Sequence, residues 1–140
     1  MPQTVVRFER LAYLSIVLGV LAYYNAFYHG IALHQGLDIF DTLVAGVIAA
    51  AYLIVAALIF AAARRRQNGA RWVYSVLIAL GVALNVGKVL KFRDVLGFDL
   101  VALLDAASDI AAIASVYFAF SRPSNSWFRS SLSASEDRPR

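Results

Sequence analysis

One uncharged stretch of the sequence limits the folds open to this chain more than any other feature. From Thr42 to Ala63 there is no charged side chain, and Ala, Val, Ile and Leu dominate the segment. A helix needs roughly 20 mostly apolar residues to cross the hydrocarbon core of a bilayer. A soluble protein of 140 residues has no core in which so long a helix is buried on every side. The segment therefore predicts a membrane-spanning helix.

Three further stretches have the length and the apolar character of a span. Together with the first they give predicted spans at residues 8–28, 40–63, 72–92 and 98–120. The last carries Asp105 and Asp109, and for this reason we expect it to be the least apolar of the four. Short connections make sequential helices antiparallel neighbours, so we predict an all-α integral membrane fold, an up-down four-helix bundle over residues 1–128. Residues 129–140 are rich in Ser and charged side chains, which predicts a disordered cytoplasmic tail.

The arginines predict the orientation of these helices, because cytoplasmic loops carry an excess of Lys and Arg. One predicted side holds Arg7, Arg10, Arg64, Arg65, Arg66, Arg71, Arg122, Arg129, Arg138 and Arg140. The other side holds Lys88, Lys91 and Arg93. Both termini are therefore predicted to be cytoplasmic, in a bacterial inner membrane. Since the basic residues lie at the ends of apolar segments and form no stripe, the net charge of +4 does not predict nucleic-acid binding.

The sequence contains no motif that is typical of an enzyme. It has no cysteine, which excludes disulfides, thiolate metal sites and cysteine nucleophiles. There is no glycine-rich phosphate loop, no nucleophile elbow and no HExxH helix. No histidine lies inside a predicted span, which argues against a haem held by two histidines. We therefore expect a non-catalytic protein without a cofactor.

Three segments carry a resemblance to a known group of proteins. They are RFERLAYLSIVLG in the first span, ARRRQNGARWVYSVLIALG across the middle connection, and YFAFSRPSNSWFR at the end of the fourth span. The chain resembles small four-span bacterial inner-membrane proteins of unknown function over most of its length. The resemblance implies the four-span fold and the location, and it implies no reaction and no functional residues.

Small side chains mark the faces along which the helices are predicted to pack, because helices inside lipid approach closely at small residues. The third span has an unbroken four-residue repeat of them: Ser75, Ala79, Ala83 and Gly87. Shorter sets are Ser15 and Gly19 in the first span, Gly46, Ala49 and Ala50 in the second, and Ser108, Ala112, Ser115 and Ala119 in the fourth. Such faces either close the bundle of one chain or join two chains. The first alternative is favoured.

Ionisable residues inside a span predict a functional site, since a charged group in the bilayer is destabilised unless it is paired or protonated. Asp105 and Asp109 are four residues apart and share one face of the fourth span. Asn85 and Lys88 of the third span are predicted to lie at a similar depth. These four residues are the candidates for binding a ligand or an ion. A structural ion pair between Asp105 and Lys88 is the alternative interpretation.

The two histidines provide a weaker candidate for a metal site. His29 and His34, with Asp38 and Asp41, carry groups that bind zinc and related ions. Their spacing matches no known metal signature. Histidines at the membrane interface and aspartates that cap helices are therefore the preferred interpretation.

These features leave three functions open. The first is a non-catalytic accessory, assembly or immunity-type subunit that acts through another membrane protein or through a second copy of itself. The second is a small cation or proton transporter or channel that uses Asp105 and Asp109. The third is a site for a lipid or a quinone that faces the periplasm. The short connections leave little mass outside the bilayer, and this favours the first function.

Overall fold

The computed structural model describes the backbone of residues 1–34, 39–92 and 100–128, and the side chains of residues 1–28, 42–87 and 100–128. Every regular element in these ranges is a helix, which confirms the predicted all-α fold. The long helices are α1 (Gln3–His34), α2 (Ile39–Arg65), α3 (Asn68–Phe92) and α4 (Leu100–Ala119). A short helix, α5, covers residues 122–128. Residues 129–140, with the predicted disordered tail, lie outside the described part.

Among the described residues, three helices are long and apolar enough to cross a membrane. They are Thr42–Arg65 in α2, Asn68–Gly87 in α3 and Leu100–Ala119, which is the whole of α4. They overlap with the second, third and fourth predicted spans and indicate a membrane protein. α1 is not one of the three, whereas α4 is, so the expectation that the fourth span is the least apolar of the four is wrong. It is 32 residues long, its first turns carry Arg7, Glu9 and Arg10, and its crossing of the bilayer stays a prediction.

Most of the arginines lie at one end of the helices, and these helix ends contact one another. Arg64, near the end of α2, donates from Nε to Glu9 Oε1 of α1 at 2.8 Å. Arg71, in the first turn of α3, donates to the carbonyl oxygen of Ala119, the last residue of α4, at 3.1 Å. We call this end of the molecule the arginine end. α1 packs most extensively against α4 and also contacts α2, while α3 contacts both α2 and α4.

The turn between α2 and α3 is tight. Arg66 has a φ of 54°, a left-handed conformation that ends a helix. The N–H of Gln67 donates to the carbonyl of Ala61 at 3.2 Å, so one of the free carbonyls at the end of α2 is paired. The Arg66 guanidinium lies 3.5 Å from the ring centroid of Trp127 in α5. The turn is thereby joined to the C-terminal part of the described chain.

Contact between α1 and α4 is made largely by small side chains. Buried positions recur every three or four residues along α1, at Val5, Phe8, Ala12, Ser15, Gly19 and Ala22. The buried positions of α4 are Ala111, Ala112, Ser115 and Ala119. Ser108 Oγ of α4 donates to the carbonyl oxygen of Ser15 in α1 at 2.9 Å. The small-residue faces of these two helices therefore pack against each other, and the two backbones approach closely.

Most of the small-residue stripe of α3 is exposed. Ser75 is half-buried, whereas Ala79, Ala83 and Gly87 are exposed. A methyl group at Gly87 would meet no atom of the described residues within 4 Å. The favoured alternative, in which the stripe closes the bundle of one chain, stays a prediction. The face of α3 that carries Arg71, Tyr74 and Asn85 turns inward instead, because these larger polar side chains form hydrogen bonds there.

The most densely packed region is the arginine end, where the buried apolar side chains form one cluster: Val5, Phe8, Ala12, Ile59, Ala62, Ala63, Ala70, Tyr74, Ala119 and Phe128. The rings of Phe8 and Tyr74 meet edge to face, with their centroids 5.6 Å apart. The buried Tyr74 hydroxyl shares a 2.7 Å hydrogen bond with Ser115 Oγ of α4. A large polar side chain is thus satisfied inside the core.

Arg71 holds α5 against this cluster. It donates to Asn125 Oδ1 at 2.7 Å, and its guanidinium lies 4.4 Å and 4.6 Å from the ring centroids of Phe120 and Phe128. Ser124 Oγ of α5 donates to the carbonyl of Phe118 at 2.8 Å. The sequence places Arg71 only among the cytoplasmic charges, but the structure buries it to 5% exposure. Its role is structural.

Replacing Arg71 with Met keeps an unbranched side chain and removes the hydrogen bonds to Ala119 and Asn125. Hydrogen bonds to charged groups contribute about 1.5–3 kcal/mol, and a partly buried cation–π contact about 0.5–2 kcal/mol. We expect the Arg71→Met change to lower the free energy of unfolding by about 2–4 kcal/mol. The measurement is the midpoint of thermal unfolding in detergent.

The matched control for that variant is Arg65→Met. Arg65 is exposed, and its guanidinium lies 6.0 Å from the Phe60 ring centroid. A surface change of this kind alters stability by about 0.5 kcal/mol or less. Equal unfolding midpoints for the two variants would contradict the structural role of Arg71.

Candidate functional site

Two neighbouring cavities lie between the arginine end and the opposite ends of the helices. The larger, of about 370 Å³, is lined by α1, α2 and α4 and includes Asp105. The smaller, of about 200 Å³, lies among all four long helices and includes Asp109. We call them the Asp105 cavity and the Asp109 cavity. Tyr52 and Val55 of α2 line both, so these side chains separate one cavity from the other.

Asn85 and Asp109 meet at the wall of the Asp109 cavity. Asn85 Nδ2 donates towards both carboxylate oxygens of Asp109, at 3.2 Å and 3.3 Å. Both residues are half-buried. Asn85 reaches this position because the face of α3 that carries Arg71 and Tyr74 turns inward. The amide therefore satisfies part of the hydrogen-bonding capacity of this carboxyl group.

Hydroxyl groups continue from the Asp109 cavity towards the arginine end. Ser15 and Ser108 both line the cavity and are linked through the hydrogen bond to the Ser15 carbonyl. The pair formed by Tyr74 and Ser115 lies further towards that end. None of the buried cluster residues at the arginine end lines either cavity. The packed cluster therefore borders the cavities on that side.

Tyr52 is a site residue that the sequence analysis missed. A methyl group at Gly19 would lie 2.6 Å from the Tyr52 hydroxyl oxygen and 3.3 Å from Ser108 Oγ. The absence of a side chain at Gly19 therefore leaves the space that the hydroxyl occupies. Tyr52 also interacts electrostatically with both Asp105 and Asp109. One signal was present in the sequence, because Tyr52 carries the one hydroxyl between Thr42 and Arg64.

The structure brings together some of the predicted site residues. Asp105 and Asp109 both line cavities, but they line different ones. Asn85 contacts Asp109. The side chain of Lys88 lies outside the described side chains, so its ion pair with Asp105 stays a prediction. The role of these residues in binding also stays a prediction.

The metal candidates lie outside the described side chains as well: His29, His34, Asp38 and Asp41. Within the ranges that the structure describes, no group of three or more His, Cys, Asp or Glu side chains is placed to hold a metal ion. The described site consists of carboxylate, amide, phenol and hydroxyl groups beside apolar walls. Such groups bind protons, cations and hydrogen-bond donors.

Comparison with known proteins gives no further guide to the chemistry. No protein-family model, no curated protein and no solved structure matches this chain. Since a helical fold hosts many functions, the function is inferred from the surfaces and cavities of the chain itself.

Proposed function

We propose that this chain is a non-catalytic, multi-pass protein of a bacterial inner membrane that acts through lateral contact with another membrane protein. In this proposal the four long helices cross the bilayer as an up-down bundle with both termini in the cytoplasm. The contacts of Arg64 and Arg71, which gather the helix ends at the arginine end, support this orientation. The short α2–α3 turn leaves little room for an independent domain outside the bilayer.

The observation that carries the proposal is the outward-facing stripe of α3. Ala79, Ala83 and Gly87 lie four residues apart and are exposed. The chain already uses this mode of packing once, between the small-residue faces of α1 and α4. Because helix association in lipid relies on such close approach, the stripe suits a helix of a partner better than lipid chains. Leu80 and Leu84 beside it are exposed and extend the apolar contact surface.

α2 provides a second set of exposed small side chains. Gly46, Ala49 and Ala50 are exposed, and a methyl group at Gly46 would meet no atom within 4 Å among the described residues. α2 and α3 contact each other, so the two sets lie on neighbouring helices.

The double change Ala83→Leu and Gly87→Leu places two large side chains on the stripe. The partner helix can then no longer approach closely, and we expect recovery of the partner to fall on the order of tenfold. The measurement is purification of the tagged protein in mild detergent, with quantitative mass spectrometry of the co-purifying proteins. Val73→Leu is the matched control, because Val73 is exposed on α3 and lies about 15 Å along the helix from Ala83.

The control variant is expected to recover the partner at the wild-type level. If wild-type protein purifies as a single chain with no partner, the proposal is wrong. Undiminished recovery by the double variant would equally contradict it. If the only partner is a second copy of the chain, which the molar mass of the purified complex reveals, the proposal that the partner is a different membrane protein is wrong.

A second candidate function, transport of a cation or proton, is supported by the contact between Asn85 and Asp109. The carboxylate lies on a candidate membrane span beside a cavity. Ionisable residues at membrane depth mark the paths of ions and protons in many transporters. The amide of Asn85 holds the carboxylate in place for such a role.

Asp109→Asn tests this candidate, since the new amide oxygen still accepts from Asn85 but carries no charge. We expect cation or proton flux in proteoliposomes to fall to less than about a tenth of the wild-type rate. Glu9→Gln, which removes a carboxylate at the arginine end, is expected to retain flux. Wild-type rates in the Asp109→Asn protein, with an unchanged unfolding midpoint, would refute the transport candidate.

A further inference from the structure

The Asp105 cavity is large enough to hold a small molecule. Its volume of about 370 Å³ lies within the range of about 300–1,000 Å³ that is usual for ligand pockets. Small side chains create the space, since Gly19, Ala22 and Ala26 of α1 face Ala51 of α2 across it. Small side chains also allow α1 and α4 to pack closely against each other. Between α1 and α2 the side chains of Ile48 and Tyr52 fill part of the gap and leave the rest open.

One carboxyl group lines this apolar space. Among the described residues that line the Asp105 cavity, Asp105 is the one carboxylic acid, and none of the others is basic. It lies on a candidate membrane span. A carboxylate in such a wall attracts a cation and repels an anion, and the attraction is stronger where water is scarce.

Two aromatic rings complete the lining. Tyr52 comes from α2 and Tyr23 from α1, and the Tyr23 ring stacks on Phe27 with the centroids 5.8 Å apart. Aromatic faces attract organic cations, and quaternary ammonium groups are held in this way by several proteins. A metal dication would need a set of oxygen ligands that the described lining does not supply. A bare or hydrated metal ion would also make no favourable apolar contact with the walls.

We propose that the Asp105 cavity binds a hydrophobic organic cation, with an ammonium- or phosphonium-type charge on an apolar body. The charge lies near Asp105 and the rings of Tyr23 and Tyr52, and the apolar body packs against the Ala, Ile and Val side chains of the walls. The site is formed by α1, α2 and α4, so it is separate from the α3 stripe. It is also distinct from the Asp109 cavity, on the other side of Tyr52.

Binding of radiolabelled tetraphenylphosphonium tests the proposal. The full-length protein is reconstituted in phosphatidylcholine nanodiscs, and empty nanodiscs supply the background. Tetraphenylborate is the matched probe, because it has nearly the same size and shape and the opposite charge. We expect saturable binding of tetraphenylphosphonium and no saturable binding of tetraphenylborate.

Asp105→Asn removes the charge and nearly preserves the side-chain volume. We expect it to weaken binding about tenfold or more, as the loss of one partner of a desolvated charge pair does. Glu9→Gln removes a carboxylate at the arginine end and is expected to bind as the wild type does. Tyr52→Leu is expected to weaken binding about two- to fivefold through loss of the ring face, whereas Tyr52→Phe retains it.

Three results would overturn the proposal. The first is wild-type binding no greater than that of empty nanodiscs. The second is equal binding of the two probes, which would indicate adventitious partition into an apolar space. The third is equal binding by Asp105→Asn and wild type, with unfolding midpoints that show both proteins folded. None of these results bears on lateral association, which is measured by co-purification.

Discussion

The close approach of α1 and α4 is the contact on which the rest of this structure depends. In lipid there is no hydrophobic force between helices, so association relies on packing and on hydrogen bonds between helices. Both are present here, in the small buried side chains of the two helices and in the hydrogen bond from Ser108 to the Ser15 carbonyl. Because α1 and α4 are the first and last long helices, their contact links the two ends of the described helix sequence. α2 and α3 complete the assembly through their contacts with these helices and with each other.

The two halves of the molecule are packed differently. One half is densely packed and stabilises the fold, and the other contains the candidate site. At the arginine end, the hydrogen bonds and ring contacts of Arg71 join α3, α4 and α5 around a dense apolar cluster. In the other half, Tyr52 separates two cavities whose walls carry Asp105 and Asp109. Carboxylates at membrane depth lower stability unless they are compensated. Their position beside open space, away from the dense cluster, favours a role in binding over a role in holding the helices together.

The sequence was sufficient to locate α2, α3 and α4, because an apolar segment of roughly 20 residues has few physical alternatives to spanning a bilayer. It did not determine the rotation of α3. The stripe that contains Ala83 and the face that contains Tyr74 are both plausible packing surfaces. The hydrogen bonds that Arg71, Tyr74 and Asn85 form with other helices decide between them. The position of Tyr52 could not be predicted from the sequence either, because it depends on the space beside Gly19 on another helix.

The central claim is that all four long helices cross the membrane with the arginine end in the cytoplasm, and thiol labelling tests it most directly. The chain has no cysteine, so single cysteines at Gly36, after α1, and at Gln67, between α2 and α3, can be labelled without background. With a membrane-impermeant maleimide, the account predicts that Gly36→Cys is labelled in spheroplasts and that Gln67→Cys is labelled only after the membrane is permeabilised. Labelling of Gln67→Cys in intact spheroplasts, or protection of Gly36→Cys until permeabilisation, would contradict it.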